Sequence, residues 1–218
     1  MKYYQVAFFD MDGTLLDTSP GILNSLKYTI RKLELPDIDE TTQRSFIGPP
    51  LRDSARRVFG MSQTDAEQFV RIFRMEYENN QIDQASLYPG VFESLRLLRE
   101  YGIRTAVATN KPQEQAEYLV RKFGMESIPD AVFGCDAAGL AEKGMLIRRG
   151  MEHFGAGGNG ILVGDTISDA YGAKEGGVDL VGVLYGFGFS TKKDALAAGA
   201  VFAAETLFDA AGYILEER

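Results

Sequence analysis

The stretch VAFFDMDGTLLDT, residues 6–18, runs four apolar residues straight into two aspartates separated only by Met11. Apolar residues in consecutive rather than alternating positions describe a strand covered on both faces, as in a parallel sheet. Residues 5–9 are therefore predicted to form a buried strand. Asp10 and Asp12 then stand at its carboxyl end, and side chains at i and i+2 point the same way along a strand. Two carboxylates so placed repel each other, so their surroundings must supply positive charge. Taken alone, an acid at a strand end also reads as a helix cap, and Asp-Gly as a turn.

Outward from this stretch, similar apolar runs occur at Thr105–Ala108, Ala131–Phe133, Gly160–Val163 and Leu180–Leu184. Helical patterns separate or follow them at 91–101, 112–123, 143–154, 167–176 and 203–216. Strands alternating with helices imply βαβ units and an α/β, doubly wound (Rossmann-like) parallel sheet. Residues 18–85 break that rhythm. Ser19 is placed to cap a helix with Pro20 at its first position. Ile22, Leu26, Ile30 and Leu33 follow at helical spacing, and 39–47, 51–59 and 62–81 also read as helices. An insertion of this length is too long for a simple loop. The expected organisation is a core of residues 1–17 and 86–218 interrupted by a helical domain at 18–85, with Tyr88-Pro89-Gly90 marking the return to the core.

A second acidic strand end decides between turn and site. In ILVGDTISDA, residues 161–170, an apolar strand again runs into carboxylates, Asp165 and Asp169. In open parallel sheets, ligands bind beyond the carboxyl ends of the strands. Four carboxylates gathered there require a cation, and an all-oxygen ligand set suits Mg²⁺ held together with water and a substrate phosphate. One carboxylate of the Asp10–Asp12 pair can attack a phosphoryl group, while the other protonates the leaving oxygen and then activates water. Gly13 allows the backbone to approach a phosphate closely.

At this point the chain resembles the haloacid dehalogenase superfamily of hydrolases. DMDGTLLDT resembles the family's first motif, ATNKP (108–112) its second, Lys143 in LAEKGM its third, and GDTISDA (164–170) its fourth, in the family's order. The insertion resembles the family's small helical (C1-type) cap. YGFG (185–188) and FIGPPL (46–51) are similar to the phosphoglycolate phosphatase-like branch, which also contains 5′-nucleotidases and pyrophosphatases. The resemblance implies a phosphatase that hydrolyses small phosphate monoesters with Mg²⁺. It makes Asp10 nucleophile and metal ligand. Asp12 becomes the general acid and base, with its carbonyl on the metal. Thr109 and Asn110 become phosphate-binding residues, with Gly13 beside them. Lys143 becomes the neutralising cation near Asp10, Asp165 a metal ligand, and Asp169 metal-site support. A phosphosugar mutase and a non-enzymatic phospho-acceptor module remain the rival classes; the helical insertion suits gating of a small molecule better than signalling.

The remaining features set limits. The net charge is −8, and basic residues occur as short pairs such as Arg56-Arg57 and Lys192-Lys193. No basic stripe suggests nucleic acid. No apolar run is long enough to span a membrane, and the N-terminal residues lack a signal-peptide pattern. The single cysteine, Cys135, precludes an internal disulfide and fits a reducing compartment, so a cytoplasmic monomer or homodimer is expected. His153, late in a helix, is not expected to take part in catalysis. GAGGNG (155–160) precedes a strand instead of following one, so it is read as a turn and not a dinucleotide loop. Lys111 is read as a surface lysine, with contact to the substrate as the alternative. Arg52, after Gly48-Pro49-Pro50 in the insertion, is the candidate to meet a second anionic group on the substrate.

Overall fold

The structure is a computed structural model, and it describes residues 3–136 and 142–216. Strand β1 (Val6–Phe9) is buried along its whole length. After β2 (Leu16–Asp17) come the helices α1 (Ser19–Lys32), α2 (Glu40–Arg44), α3 (Leu51–Phe59) and α4 (Gln63–Glu76), the last continued by a π-helical turn at Tyr77–Gln81. Beyond β3 (Ser86–Leu87) the chain alternates: α5 (Val91–Glu100), β4 (Arg104–Pro112), α6 (Gln113–Lys122), β5 (Ala131–Cys135), α7 (Lys143–Phe154), β6 (Gly160–Gly164), α8 (Ile167–Gly176), β7 (Asp179–Val183), α9 (Lys192–Ala197), β8 (Phe202–Ala204) and α10 (Leu207–Glu216).

Among the described residues the main sheet has six strands in the order β5-β4-β1-β6-β7-β8. Each neighbouring pair in that sheet runs parallel. The fold is therefore an α/β, Rossmann-like parallel sheet with helical crossovers. β1 is central, with Phe9 level with Val107 of β4 on one side and Val163 of β6 on the other. The chain winds outward in both directions from β1, which makes the carboxyl ends of β1, β4 and β6 the topological switch point where such sheets open a crevice. That register brings Asp10, Thr109 and Asp165 to one edge of the sheet.

The chain divides into two compact units, Met1–Asp17 with Leu87–Arg218, and Thr18–Ser86. In the first, Val6 and Phe8 of β1 pack with Leu162, Leu180, Ile147 of α7 and a set of alanines that includes Ala170 and Ala173 of α8. Small residues on α8 let it lie close to the sheet, which fixes the position of its first turn. The second unit has its own core of Leu26, Ile30, Phe46, Ala55, Ala66 and Phe69. Within it Phe46, Phe59 and Phe69 meet with ring centroids about 6 Å apart.

Several local expectations are corrected. Thr18, not Ser19, is the N-cap of α1, and Pro20 lies within its first turn. The helix expected over 39–47 ends at Arg44. It starts after Asp39, whose side chain accepts the Thr42 N–H at 2.7 Å. The helix expected over 203–216 begins only at Leu207, because Phe202–Ala204 joins the sheet as β8 beside β7. Helix α9 was not expected from the sequence.

Candidate active site

Asp10 directly extends β1, its N–H donating to the Val163 carbonyl at 2.9 Å. The chain then turns through Gly13, whose φ of +85° strongly favours glycine. A Cβ there would also run into the Asp165 carboxylate and the Phe187 ring. Gly13 is thus required by two independent constraints, and they press the loop after β1 against Asp165.

Asp165 follows β6 and is fully buried. Its Oδ2 accepts the Phe187 N–H at 2.7 Å, and its Oδ1 accepts the Thr14 hydroxyl at 3.3 Å. Asp169, also fully buried, lies in the first turn of α8. Its Oδ2 accepts the N–H and hydroxyl of Thr166 at 2.9 and 2.7 Å and the Asp165 N–H at 3.2 Å. Its Oδ1 pairs with Lys143. Both oxygens of Asp169 are therefore engaged by the protein, and its role in the geometry is to brace Asp165 and Lys143.

Lys143 is the first residue of α7 and is only 5% exposed. Its Nζ lies 2.9 Å from Asp10 Oδ1 as well as beside Asp169. The contact with Asp10 is a close ion pair, and among the described residues Lys143 is the sole partner of Asp10 Oδ1. Leu140 and Ala141 of the LAEKGM motif lie outside the described residues.

Asp12 is the more open acid, its side chain 27% exposed, with Lys111 Nζ 3.3 Å from its Oδ2. Its Oδ1 is buried and lacks a hydrogen-bond partner. Lys111 corrects the reading of it as a surface lysine: its side chain is 7% exposed and faces Asp12. Thr109 is buried, and its Oγ1 accepts the Lys111 N–H at 3.2 Å. Asn110 is exposed, its Nδ2 donating to Ser168 Oγ at 3.3 Å. Asp10, Asp12, Thr109, Lys143, Asp165 and Asp169 thus converge at the carboxyl end of the sheet, with Asn110 bonded to the start of α8. Arg52 is an exposed residue in the first turn of α3, in the helical unit.

The electrostatics of the cluster are unbalanced. Asp10, Asp165 and Asp169 offer carboxylate oxygens that all lie within 4.8 Å of one another. Against three carboxylates stands one ammonium, Lys143, leaving a formal charge of −2. Asp12 and Lys111 cancel. Burial pushes the Asp10 carboxyl up to about 6, with Asp169 and Asp12 adding to the rise and Lys143 opposing it. Asp165 is held well above the usual carboxylate range, first by burial and then by Asp169 and Asp10. Burial disfavours the Lys143 ammonium, yet Asp10 and Asp169 outweigh it and keep its pKa above the ordinary lysine value. Burial leads the rise of Asp10 and Asp165, and repulsion among the carboxylates adds to it. The residues fit a hard divalent cation: the donors are carboxylate oxygens close to one another, and the deficit is two charges.

The loop after β7, whose YGFG (185–188) carried only a family resemblance in the sequence, proves to hold Asp165. Tyr185 donates its hydroxyl to the Thr14 carbonyl at 2.8 Å, and the N–H groups of Phe187 and Phe189 both go to Asp165. The glycines at 186 and 188 were the available signal. A Cβ at Gly186 would overlap Asp165 and the Gly13 carbonyl.

The chain is similar to known proteins along most of its length. The family model of haloacid dehalogenase-like hydrolases matches residues 7–183. A 5′-nucleotidase of Pseudomonas aeruginosa is 31% identical over 85% of each chain. A phosphoglycolate phosphatase of Caulobacter vibrioides is 31% identical over 84% of this chain and 79% of its own. The solved structure of a haloacid dehalogenase-like family hydrolase of Streptococcus pneumoniae superposes with a TM-score of 0.89, at 28% identity over 98% of this chain and 99% of that one.

Proposed function

Because the chain belongs to the haloacid dehalogenase-like hydrolases, we propose that it is a Mg²⁺-dependent phosphatase that hydrolyses small phosphate monoesters through an aspartyl-phosphate on Asp10. The observation that carries this reading is the buried Asp10 carboxylate, its Oδ1 ion-paired to Lys143, beside a second acid with an unpartnered oxygen. One is poised to attack and the other to move protons.

In the first step an Asp10 carboxylate oxygen attacks phosphorus and the ester P–O bond breaks. Asp12, which must carry a proton when the ester is bound, gives it to the departing oxygen, which leaves as an alcohol. In the second step Asp12, now a carboxylate, takes a proton from water as its oxygen attacks phosphorus. The P–O bond to Asp10 breaks, phosphate departs and both acids are restored. Lys143 holds Asp10 in place and offsets charge on the phosphoryl oxygens. Thr109 and Asn110 are assigned to those oxygens, and Lys111 steadies Asp12; the Gly13 N–H, expected from the sequence to serve there, instead donates to the Leu16 carbonyl at 2.8 Å. Asp10, Asp165 and the Asp12 carbonyl would hold Mg²⁺, with Asp169 bracing from outside. When bound, the ion supplies charge stabilisation for the transferring group. Phosphoryl transfer asks mainly for positioning and charge, which these residues provide.

The substrate class follows from the same site. The core can recognise little beyond the phosphoryl group, so discrimination falls to the helical unit, with Arg52 the candidate for a second anionic group. The phosphoglycolate phosphatase relatives favour small anionic esters; the 5′-nucleotidase relative favours nucleoside monophosphates as the second reading. The single cysteine supports a cytoplasmic setting. A screen of phosphate monoesters with Mg²⁺ tests the proposal. Preference for phosphoglycolate-like esters supports the first reading, preference for nucleotides the second. Failure to hydrolyse any ester, p-nitrophenyl phosphate included, refutes both.

A further inference from the structure

We infer that the loop 185–189 is a clasp that positions Asp165, with Tyr185 as its closing residue, and that it sets how tightly the divalent cation is held. The inference rests on Asp165 being a cation ligand, as proposed above.

The contacts form a closed ring. The Phe187 N–H donates to Asp165 Oδ2, and the Phe189 N–H donates to the Asp165 carbonyl, each at 2.7 Å. Two residues back from Phe187, the Tyr185 hydroxyl donates to the Thr14 carbonyl at 2.8 Å. The Thr14 hydroxyl then returns to Asp165 Oδ1 at 3.3 Å. Asp165 Oδ2 thus accepts one bond from the clasp and Oδ1 one from Thr14, which the clasp holds through Tyr185. A carboxylate oxygen can accept more than one such bond, so lone pairs remain for a cation.

The ring is held in place from outside. Tyr185 packs on Tyr88 with ring centroids 4.7 Å apart. The Tyr88 N–H donates to the Leu15 carbonyl at 3.0 Å, so both tyrosines secure the loop that follows Asp12. Gly13 and Gly186 leave no room for a side chain where the two loops close on Asp165. Tyr88, Tyr185 and Thr14 are assigned no contact with the phosphoryl group. Their effect passes through Asp165, and partners that orient a ligand govern metal affinity as much as the ligand itself does.

Tyr185→Phe removes one hydroxyl and keeps the ring that packs on Tyr88. Thr14→Val removes the other link at nearly constant shape, and Thr14→Ser keeps it. Isothermal titration of Mg²⁺ into the metal-stripped protein, without substrate, reads the ligand geometry directly. The expected result is a Kd for Mg²⁺ raised about 10-fold or more in Tyr185→Phe and Thr14→Val, with Thr14→Ser close to wild type. Turnover lost at low Mg²⁺ should return as Mg²⁺ is raised, with the KM for the ester little altered. Wild-type Mg²⁺ affinity in both Tyr185→Phe and Thr14→Val overturns the clasp, however far their melting temperatures fall. Absence of Mg²⁺ binding by the wild-type protein refutes the cation site itself, and the clasp with it.

Discussion

Asp10→Asn should make the metal-free protein more stable at neutral pH while abolishing its activity. The Asp10 carboxyl is raised from 3.8 to about 6 in the folded protein, chiefly by burial. Between those values the folded state keeps a proton that the unfolded state has lost. Stability therefore falls as pH rises through this window, and the loss is complete above it. A carboxyl moved this far costs about 3 kcal/mol at pH 7.5, at about 1.4 kcal/mol per pH unit. Asparagine does not titrate, and Lys143 keeps Asp169 as its partner. The variant should gain up to about 3 kcal/mol in EDTA, a rise in Tm of about 6–12 °C for a chain of this size. The gain should shrink as pH falls from 6 towards 4. Differential scanning calorimetry across that range measures it. Added Mg²⁺ should stabilise the wild type more than the variant, since binding to the folded state alone raises stability. A Tm lowered by Asp10→Asn at pH 7.5 in EDTA would refute the claim that the cluster lacks positive charge.

Other substitutions separate the remaining roles. Asp12→Asn should lower kcat by about 10²–10⁴-fold while phosphate esters still bind, measured by steady-state kinetics and by product-analogue titration. Lys143→Met should cost about 3–5 kcal/mol in the metal-free protein, because it leaves Asp10 and Asp169 buried without their cation; urea unfolding checks it, and Mg²⁺ should recover part of the loss. Arg52→Ala should raise KM for the preferred anionic ester and leave p-nitrophenyl phosphate, which lacks a second anionic group, nearly unaffected. An equal loss on both substrates would assign Arg52 to the folding of the helical unit instead.

The central strands and the acids at their ends were legible because one physical cause wrote both signals. A strand buried on both faces must be apolar throughout, so the first carboxylate marks where the sheet stops and the ligand edge begins. The same cause explains what was missed. Phe202–Ala204 is a three-residue strand at the sheet edge, and its alanines continue a helical pattern into Leu207. Helix α9 is six residues long, too short for periodicity to register. Lys111 carries no local mark of burial, since its partner Asp12 comes from a distant strand end. The 185–189 loop was recognisable as a motif, but it holds Asp165 through main-chain N–H groups that any residue type supplies. Its two glycines were the visible trace of that close approach.

The central claim is that Asp10 becomes phosphorylated during turnover. Rapid acid quenching of the protein with Mg²⁺ and a phosphate monoester, followed by borohydride reduction, converts an aspartyl-phosphate to homoserine. Peptide mass spectrometry then locates the change. The account predicts homoserine at position 10, dependent on both Mg²⁺ and substrate and absent from Asp10→Asn. Steady hydrolysis with Asp10 unmodified at every quench time, or homoserine at another aspartate, would contradict it.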